Sequence, residues 1–200
     1  MKTKNIGILG SAFNPPHLGH KDIIEQVYQD FDEILLIPSF LHAFNKKMEP
    51  YQDRLCMASM LEQSFYTENV RANKQLTPIV TSSIERELGS HTDSPVYTFD
   101  VLNELEQRYL NAHIKPALNF IIGPDNATEK IWSKFYRGEE IVKRWNLTIV
   151  SERIPVRSTV IRELIADSDP EAIFKSPLTK YLDKPIAEYI FNHQLYGANR

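Results

Sequence analysis

Short apolar runs alternate with amphipathic stretches along the chain. Strand-like runs fall at Ile6–Leu9, Glu33–Ile37, Thr77–Thr81, Ala117–Ile122 and Leu147–Ser151. Helical patterns fall near Lys21–Gln29, Tyr51–Ser64, Thr98–Tyr109, Glu139–Arg144 and Thr159–Ala166, with a last helix at Pro185–Asn192 that opens on a helix-compatible proline. Alternation of this kind predicts an α/β fold, a parallel sheet with helices on both faces. Ligands in such sheets bind beyond the C-terminal strand ends, at a topological switch point. His17 and His20 follow the first run, Gly123-Pro124-Asp125 the fourth and Arg153 to Thr159 the fifth, so three candidate segments share one sheet edge. No internal repeat, low-complexity tract or domain boundary interrupts the pattern, and Ser168-Asp169-Pro170 is a loop. One domain over residues 1–200 is expected.

The segment Gly10-Ser-Ala-Phe-Asn-Pro-Pro-His-Leu-Gly-His20 joins the first strand to the first helix. Backbone N–H groups and the positive end of the dipole attract anions at a helix N-terminus. Imidazoles at i and i+3 lie on one face of that turn, so His17 and His20 can address one phosphate. Asn14-Pro15-Pro16 forces a rigid turn, and Gly19 lets the backbone come close. The loop has no serine or cysteine nucleophile and no Lys-Ser/Thr pair to close it as a Walker A loop. It suits binding a triphosphate and steadying a charged transition state. The bland alternative is a pair of capping or surface histidines, which the position after strand one disfavours.

With 200 residues the chain can bury a core. A net charge of −3, evenly mixed, gives no basic field of the nucleic-acid-binding kind. The single cysteine, Cys56, excludes an intramolecular disulfide framework and a multi-cysteine metal site, and its apolar helical setting predicts a buried structural thiol. No apolar stretch is long enough to span a bilayer and no signal peptide precedes strand one, so a cytoplasmic protein without membrane or nucleic-acid partners is expected.

Gly10 to His20 resembles the N-terminal signature of the nucleotidylyltransferases with a His-x-Gly-His motif, and most of all the nicotinate and nicotinamide mononucleotide adenylyltransferases. Downstream, Arg157-Ser-Thr-Val-Ile-Arg162 resembles the Ser-Ser/Thr-x-Ile-Arg element of the same superfamily, and Ile121-Ile-Gly-Pro-Asp125 resembles its Ile-Ile-Gly-x-Asp segment. The resemblance extends to the Tyr-Ile-x-x-x-x-Leu-Tyr pattern at Tyr189–Tyr196. It implies a Rossmann-like doubly wound sheet with a C-terminal helical segment. The implied reaction is adenylyl transfer from ATP to a pyridine mononucleotide, giving deamido-NAD or NAD and pyrophosphate. Nicotinate mononucleotide is favoured by Ser94 to Leu102 and Ile121 to Asp125. Magnesium is expected with ATP, bridging phosphates and needing few protein ligands. No dedicated metal site is expected.

In such a reaction the protein positions two phosphates and offsets charge. The resemblance implies catalytic roles for His17, His20, Lys46 and Arg162. It implies ATP contacts from Gly10, Ser11, Phe13, Gly19, Gly123, Asp125, Ser158 and Thr159 as well as from His17, His20 and Arg162. Ser158 is expected at the N-cap, offering its hydroxyl and backbone N–H, while Arg162 holds the β- or γ-phosphate with its planar fork. An ordinary capped helix with a surface arginine is the alternative for that segment taken alone. Mononucleotide contacts are implied for Asn14, Lys46, Tyr97 and Thr98, with Lys47 the rival of Lys46. A ring stacks on the pyridine, and both Trp132 and Phe135 are candidates, the indole offering the larger face.

Two departures stand out. The bacterial nicotinate branch usually reads Pro-Pro-His-Lys after strand two, whereas His42-Ala-Phe-Asn-Lys46-Lys47 is closer to the eukaryotic nicotinamide type. Only Ser151 to Arg157 separates strand five from the Ser-Thr helix, and Arg157 replaces a small polar residue, which bears on oligomer contacts and phosphate binding. A homo-oligomer remains compatible with the chain. The competing functions are a phosphopantetheine adenylyltransferase, a non-catalytic nucleotide sensor and, less favoured, a cytidylyltransferase.

Overall fold

Both faces of the central strands are apolar. In β2 (Glu33–Pro38), Ile34 and Leu36 join one core cluster while Leu35 and Ile37 join another. β1 (Lys2–Ser11) sends Leu9 to the first cluster and Ile6 and Ile8 to the second. Strands of this composition are stable only inside a sheet covered on both sides. The computed structural model describes residues 1–41, 47–71, 77–91, 94–167, 174–175 and 177–198, without the side chain of Glu129.

The elements run β1, α1 (Leu18–Val27), β2, α2 (Tyr51–Arg71), β3 (Ile79–Thr81), α3 (Ile84–Gly89), α4 (Thr98–Asn111), β4 (Ile114–Ile122), α5 (Glu129–Trp132), α6 (Gly138–Arg144), β5 (Asn146–Ile149), α7 (Ser158–Ala166) and α8 (Lys184–Asn192). All strand pairs are parallel and the order is β3-β2-β1-β4-β5. Ile6 stands beside Glu33 on one side and Leu118 on the other. The chain moves outward from β1 in both directions, so the crevice between the ends of β1 and β4 is the switch point.

Helices α1, α2, α7 and α8 cover one face through residues such as Ile24, Leu61, Ile161 and Ile186. On the other face α3, α4, α5 and α6 supply Ile84, Leu102, Trp132 and Ile141. The Rossmann-like doubly wound architecture is therefore present. Sequence and structure differ in details. The first helix begins at Leu18 rather than Lys21, because His17 in extended backbone caps it. Helix α2 runs to Arg71, since its buried face continues through Phe65 and Asn69. Two short helices, α3 and α5, escape periodicity because each is under two turns long. Cys56 is only partly buried on α2. Among the described residues no helix is long and apolar enough to cross a membrane.

Candidate active site

The loop after β1 is fixed by hydrogen bonds to its own backbone. Arg54 Nη1 donates to the Ala12 carbonyl at 2.7 Å, Arg162 Nη1 to that of Asn14 at 2.7 Å, and the Ser158 hydroxyl to that of Pro15 at 2.9 Å. The Asn14 side chain is buried, and its Oδ1 accepts the Glu49 N–H at 3.1 Å and the Tyr196 hydroxyl at 3.0 Å. Phe13 takes φ +45° at the bend, and its ring is wholly buried beneath His20, centroids 4.8 Å apart. Side chains of α2, α7 and the C-terminal segment thus hold carbonyls and amide oxygens inward. Asn14 and Phe13 act here as braces, with their side chains turned away from solvent.

Both histidines are buried, at 7% and 8% exposure, at the start of α1. His20 Nδ1 accepts the His17 N–H at 3.2 Å, so the neutral ring carries its proton on Nε2, which lies 3.0 Å from the Ser11 hydroxyl oxygen. Ser11 Oγ also accepts the Phe13 N–H at 3.4 Å. The His17 ring lies 3.9 Å from that of His20, and its buried Nδ1 has no hydrogen-bond partner. Burial, then the nearby Arg157 charge, lowers the His17 pKa to about 4. Burial and then His17 push that of His20 well below the usual histidine range. Both rings are therefore neutral near pH 7 and offer polarised N–H groups or lone pairs.

Gly19 permits this stacking. A Cβ there would come within 2.9 Å of His17 Nδ1 and 3.1 Å of Val156 Cγ1. Lys21, next to the motif, is no surface residue: its ammonium meets Glu68 at 2.6 Å and Asp183 at 3.4 Å, joining α1 to α2 and to the cap of α8.

Two cavities, each about 280 Å³, meet at His20, Ile23, Gly123 and Asn126. The first runs under β1, β2 and β4 and is lined by Gly10, Ser11, Ser39, Glu85, Thr98 and Phe135. The second opens toward β5 and is lined by His17, Gly19, Asp125, Glu152 and Arg157. Of the two aromatic candidates, it is Phe135 that reaches a cavity wall. Trp132 is 4% exposed and packs on Phe120 and on Phe135, 6.2 and 4.8 Å between centroids. Thr98 opens α4 at the first cavity, while Tyr97 caps that helix and lies against Tyr136 at 4.8 Å. Ser158 is the first residue of α7, and Arg157 occupies the N-cap expected for Ser158. Arg162 Nη2 also donates to Thr159 Oγ1 at 3.1 Å. Asp125 pairs with Arg157 at 3.1 Å. His42 and Lys46 lie outside the described residues.

Two charged residues of this region belong to none of the motifs. Glu85 accepts the Phe40 N–H at 2.8 Å, and burial raises its pKa to about 7 against the opposing pull of that bond and of Arg54. Arg54, 1% exposed, also donates to the Glu49 carbonyl at 2.9 Å and the Phe40 carbonyl at 3.3 Å. The signal for Arg54 was present: it occupies the first position of the buried stripe Arg54, Met57, Ala58, Leu61, Phe65. A charge on an apolar stripe must be satisfied by buried acceptors.

The cytidylyltransferase-like family model matches residues 8–173. The chain is 32% identical over 209 residues to the probable nicotinate-nucleotide adenylyltransferase of Myxococcus xanthus, covering 98% of this chain and 96% of the relative. It is 29% identical over 201 residues to the nicotinate-nucleotide adenylyltransferase of Bacillus subtilis, with 90% and 96% covered. Among solved structures, a provisionally named nicotinate-nucleotide adenylyltransferase from Vibrio parahaemolyticus superposes with TM-score 0.72 at 30% identity, covering 97% of this chain and 96% of that one.

Proposed function

The chain belongs to the cytidylyltransferase-like family and, within it, to the nicotinate/nicotinamide mononucleotide adenylyltransferases, and from that premise we propose that nicotinate mononucleotide is its preferred acceptor. The protein is a nucleotidyltransferase that performs adenylyl transfer in NAD biosynthesis. The observation that carries the substrate reading is the meeting of two cavities at His20. One cavity receives the mononucleotide and the other the adenosine triphosphate, so that the attacked α-phosphorus lies at the junction.

In this scheme a mononucleotide phosphate oxygen attacks the α-phosphorus, and pyrophosphate leaves with the electron pair of the broken P–O bond. His20 donates from Nε2 to the phosphate at the junction, exchanging Ser11 for a phosphate oxygen. His17 and the α7 N-terminus at Ser158 and Thr159 take the outer phosphates. Arg162 fixes the Asn14 carbonyl and presents its remaining donors to the same groups. Gly10 and Gly123 let the backbone approach, and Asp125 accepts a ribose hydroxyl. Lys46 would approach from the segment after β2. Magnesium enters as part of the MgATP substrate. Among the described residues no group of three or more His, Cys, Asp or Glu could hold a metal.

Nicotinate is favoured over nicotinamide for two reasons. The first cavity carries Thr98 at the start of the fourteen-residue helix α4, whose positive end suits a carboxylate. Among the described residues the one carboxyl lining it, Glu85, has its pKa raised to about 7 and is only partly charged there. Phe135 supplies the stacking face, with Trp132 behind it, and the whole chain works as one domain. Pyrophosphate release from MgATP, compared between nicotinate and nicotinamide mononucleotides, tests the reading. Faster turnover with nicotinate mononucleotide supports it. Turnover only with phosphopantetheine, or ATP binding without turnover, would remove it.

A further inference from the structure

We propose that Arg157 is a ligand for the β,γ-phosphates of ATP, held in waiting by Asp125 and Glu152 and handed to the triphosphate when ATP enters. The inference rests on the adenylyltransferase reading for the identity of the nucleotide, and on the geometry of the second cavity for the rest. Arg157 stands at the N-cap of α7 with φ −125° and ψ 139°, one residue before Ser158, which opens that helix. Its side chain is 56% exposed, with Nη2 3.1 Å from Asp125 Oδ2 and Nη1 bonded to Glu152.

Charge balance gives the reason for an exchange. The wall of this cavity carries three carboxylates, Asp22, Asp125 and Glu152, and two guanidinium groups, Arg153 and Arg157, with both histidines neutral. That wall repels a triphosphate unless one cation turns toward it. Arg153 is committed to Asp22 at 3.1 Å and reaches the Asp22 carbonyl at 3.5 Å. Arg157 is tied to exposed acids, and ion pairs between exposed groups are weak in water. A planar fork gains more from two oxygens of a doubly charged phosphate. The Arg157 charge already contributes to lowering the His17 pKa, so it acts across the space where the phosphates belong. The ring of His17 lines the same cavity beside Arg157. Release of Arg157 also frees Asp125 for a ribose hydroxyl, so the two ends of ATP are bound in one movement.

The test is calorimetric binding of ATP and of AMP to the full chain and to Arg157→Ser and Glu152→Gln, with thermal midpoints as a control. Arg157→Ser should weaken ATP by about tenfold while AMP changes by less than about twofold. Glu152→Gln, which releases the fork, should tighten ATP by about two- to threefold. Arg157→Lys should recover only part of the loss, having charge without the fork. Unchanged ATP affinity in Arg157→Ser, equal losses for ATP and AMP, or no ATP binding by the unaltered protein would each overturn the proposal. The adenylyltransferase reading fails separately, through absent pyrophosphate release by an unaltered protein that still separates ATP from AMP.

Discussion

The backbone N–H of His17 donates to His20 Nδ1 at 3.2 Å, so one motif histidine sets the tautomer of the other. With Nδ1 occupied, the His20 proton resides on Nε2, the atom facing Ser11, on a ring that lines both cavities. A fixed donor there stabilises charge that grows in the transition state more than charge present in the ground state. His20→Ala should therefore lower kcat by about 10²-fold and change the ATP dissociation constant by less than about threefold. Steady-state rates alongside calorimetric ATP binding check this, and equal losses in both would remove His20 from the chemistry.

Gly19→Ala probes the packing that holds His17. The added methyl would press on the His17 ring and on Val156. Overpacking of this kind costs about 1–3 kcal/mol. A fall of about tenfold in kcat/KM is expected, with the thermal midpoint down by a few degrees. Full activity in the alanine variant would show that the ring contact is dispensable.

Phe135→Ala and Trp132→Ala should separate cleanly. Phe135 lines the first cavity, whereas Trp132 is core. Truncating Phe135 should raise the mononucleotide KM about tenfold through lost stacking, with little loss of stability. Truncating Trp132 should cost about 3–5 kcal/mol in urea unfolding. The reverse assignment of effects would place the indole at the ring site.

Stability should respond to pH through two buried histidines, His17 and His20, opposed by Glu85. The unfolded chain protonates His17 near 6.5, but the folded protein does so only near 4. Stability is then lost as pH falls through that window. The unfolded chain ionises Glu85 near 4.5, but the folded protein does so near 7. Stability is lost as pH rises through that second window. The His17 and Glu85 effects are each worth about 3 kcal/mol at full extent and oppose one another, while His20, whose pKa burial also lowers, adds to the loss as pH falls. Glu85→Gln should remove the opposing group, so that the urea midpoint falls more steeply between pH 6.5 and 4 than in the unaltered protein. An unchanged profile in that variant would mean that Glu85 is ionised in the folded protein without penalty.

The sheet was legible because strand and helix periods differ and because each strand is followed by a turn or a helix of opposite pattern. The histidine loop and the α7 segment were legible because their residues lie close in sequence. What escaped were roles set by distant partners. The apolar stripe of α2 announces that Arg54 needs buried acceptors, but nothing near it announces the carbonyls at positions 12 and 40, and nothing near Glu85 announces Phe40. The choice between Trp132 and Phe135 depends on how the short helix α5, which ends at Trp132, and the turn after it place the two rings, and four residues carry too little periodicity to show it. Ser158 as N-cap failed by one position because Arg157 keeps extended backbone there.

The hydrogen bond from Tyr196 to Asn14 joins residues 182 apart, while Tyr196 N–H also meets Glu49. During synthesis the N-terminal strand and helix emerge early, yet their loop cannot acquire this brace until residue 196 has left the ribosome. Closing a loop of that length costs entropy before the contact repays it. A chain cut before Tyr196 would keep its sheet but lose the clamp on Asn14, so the setting of the histidine loop depends on residues at the far side of the sequence.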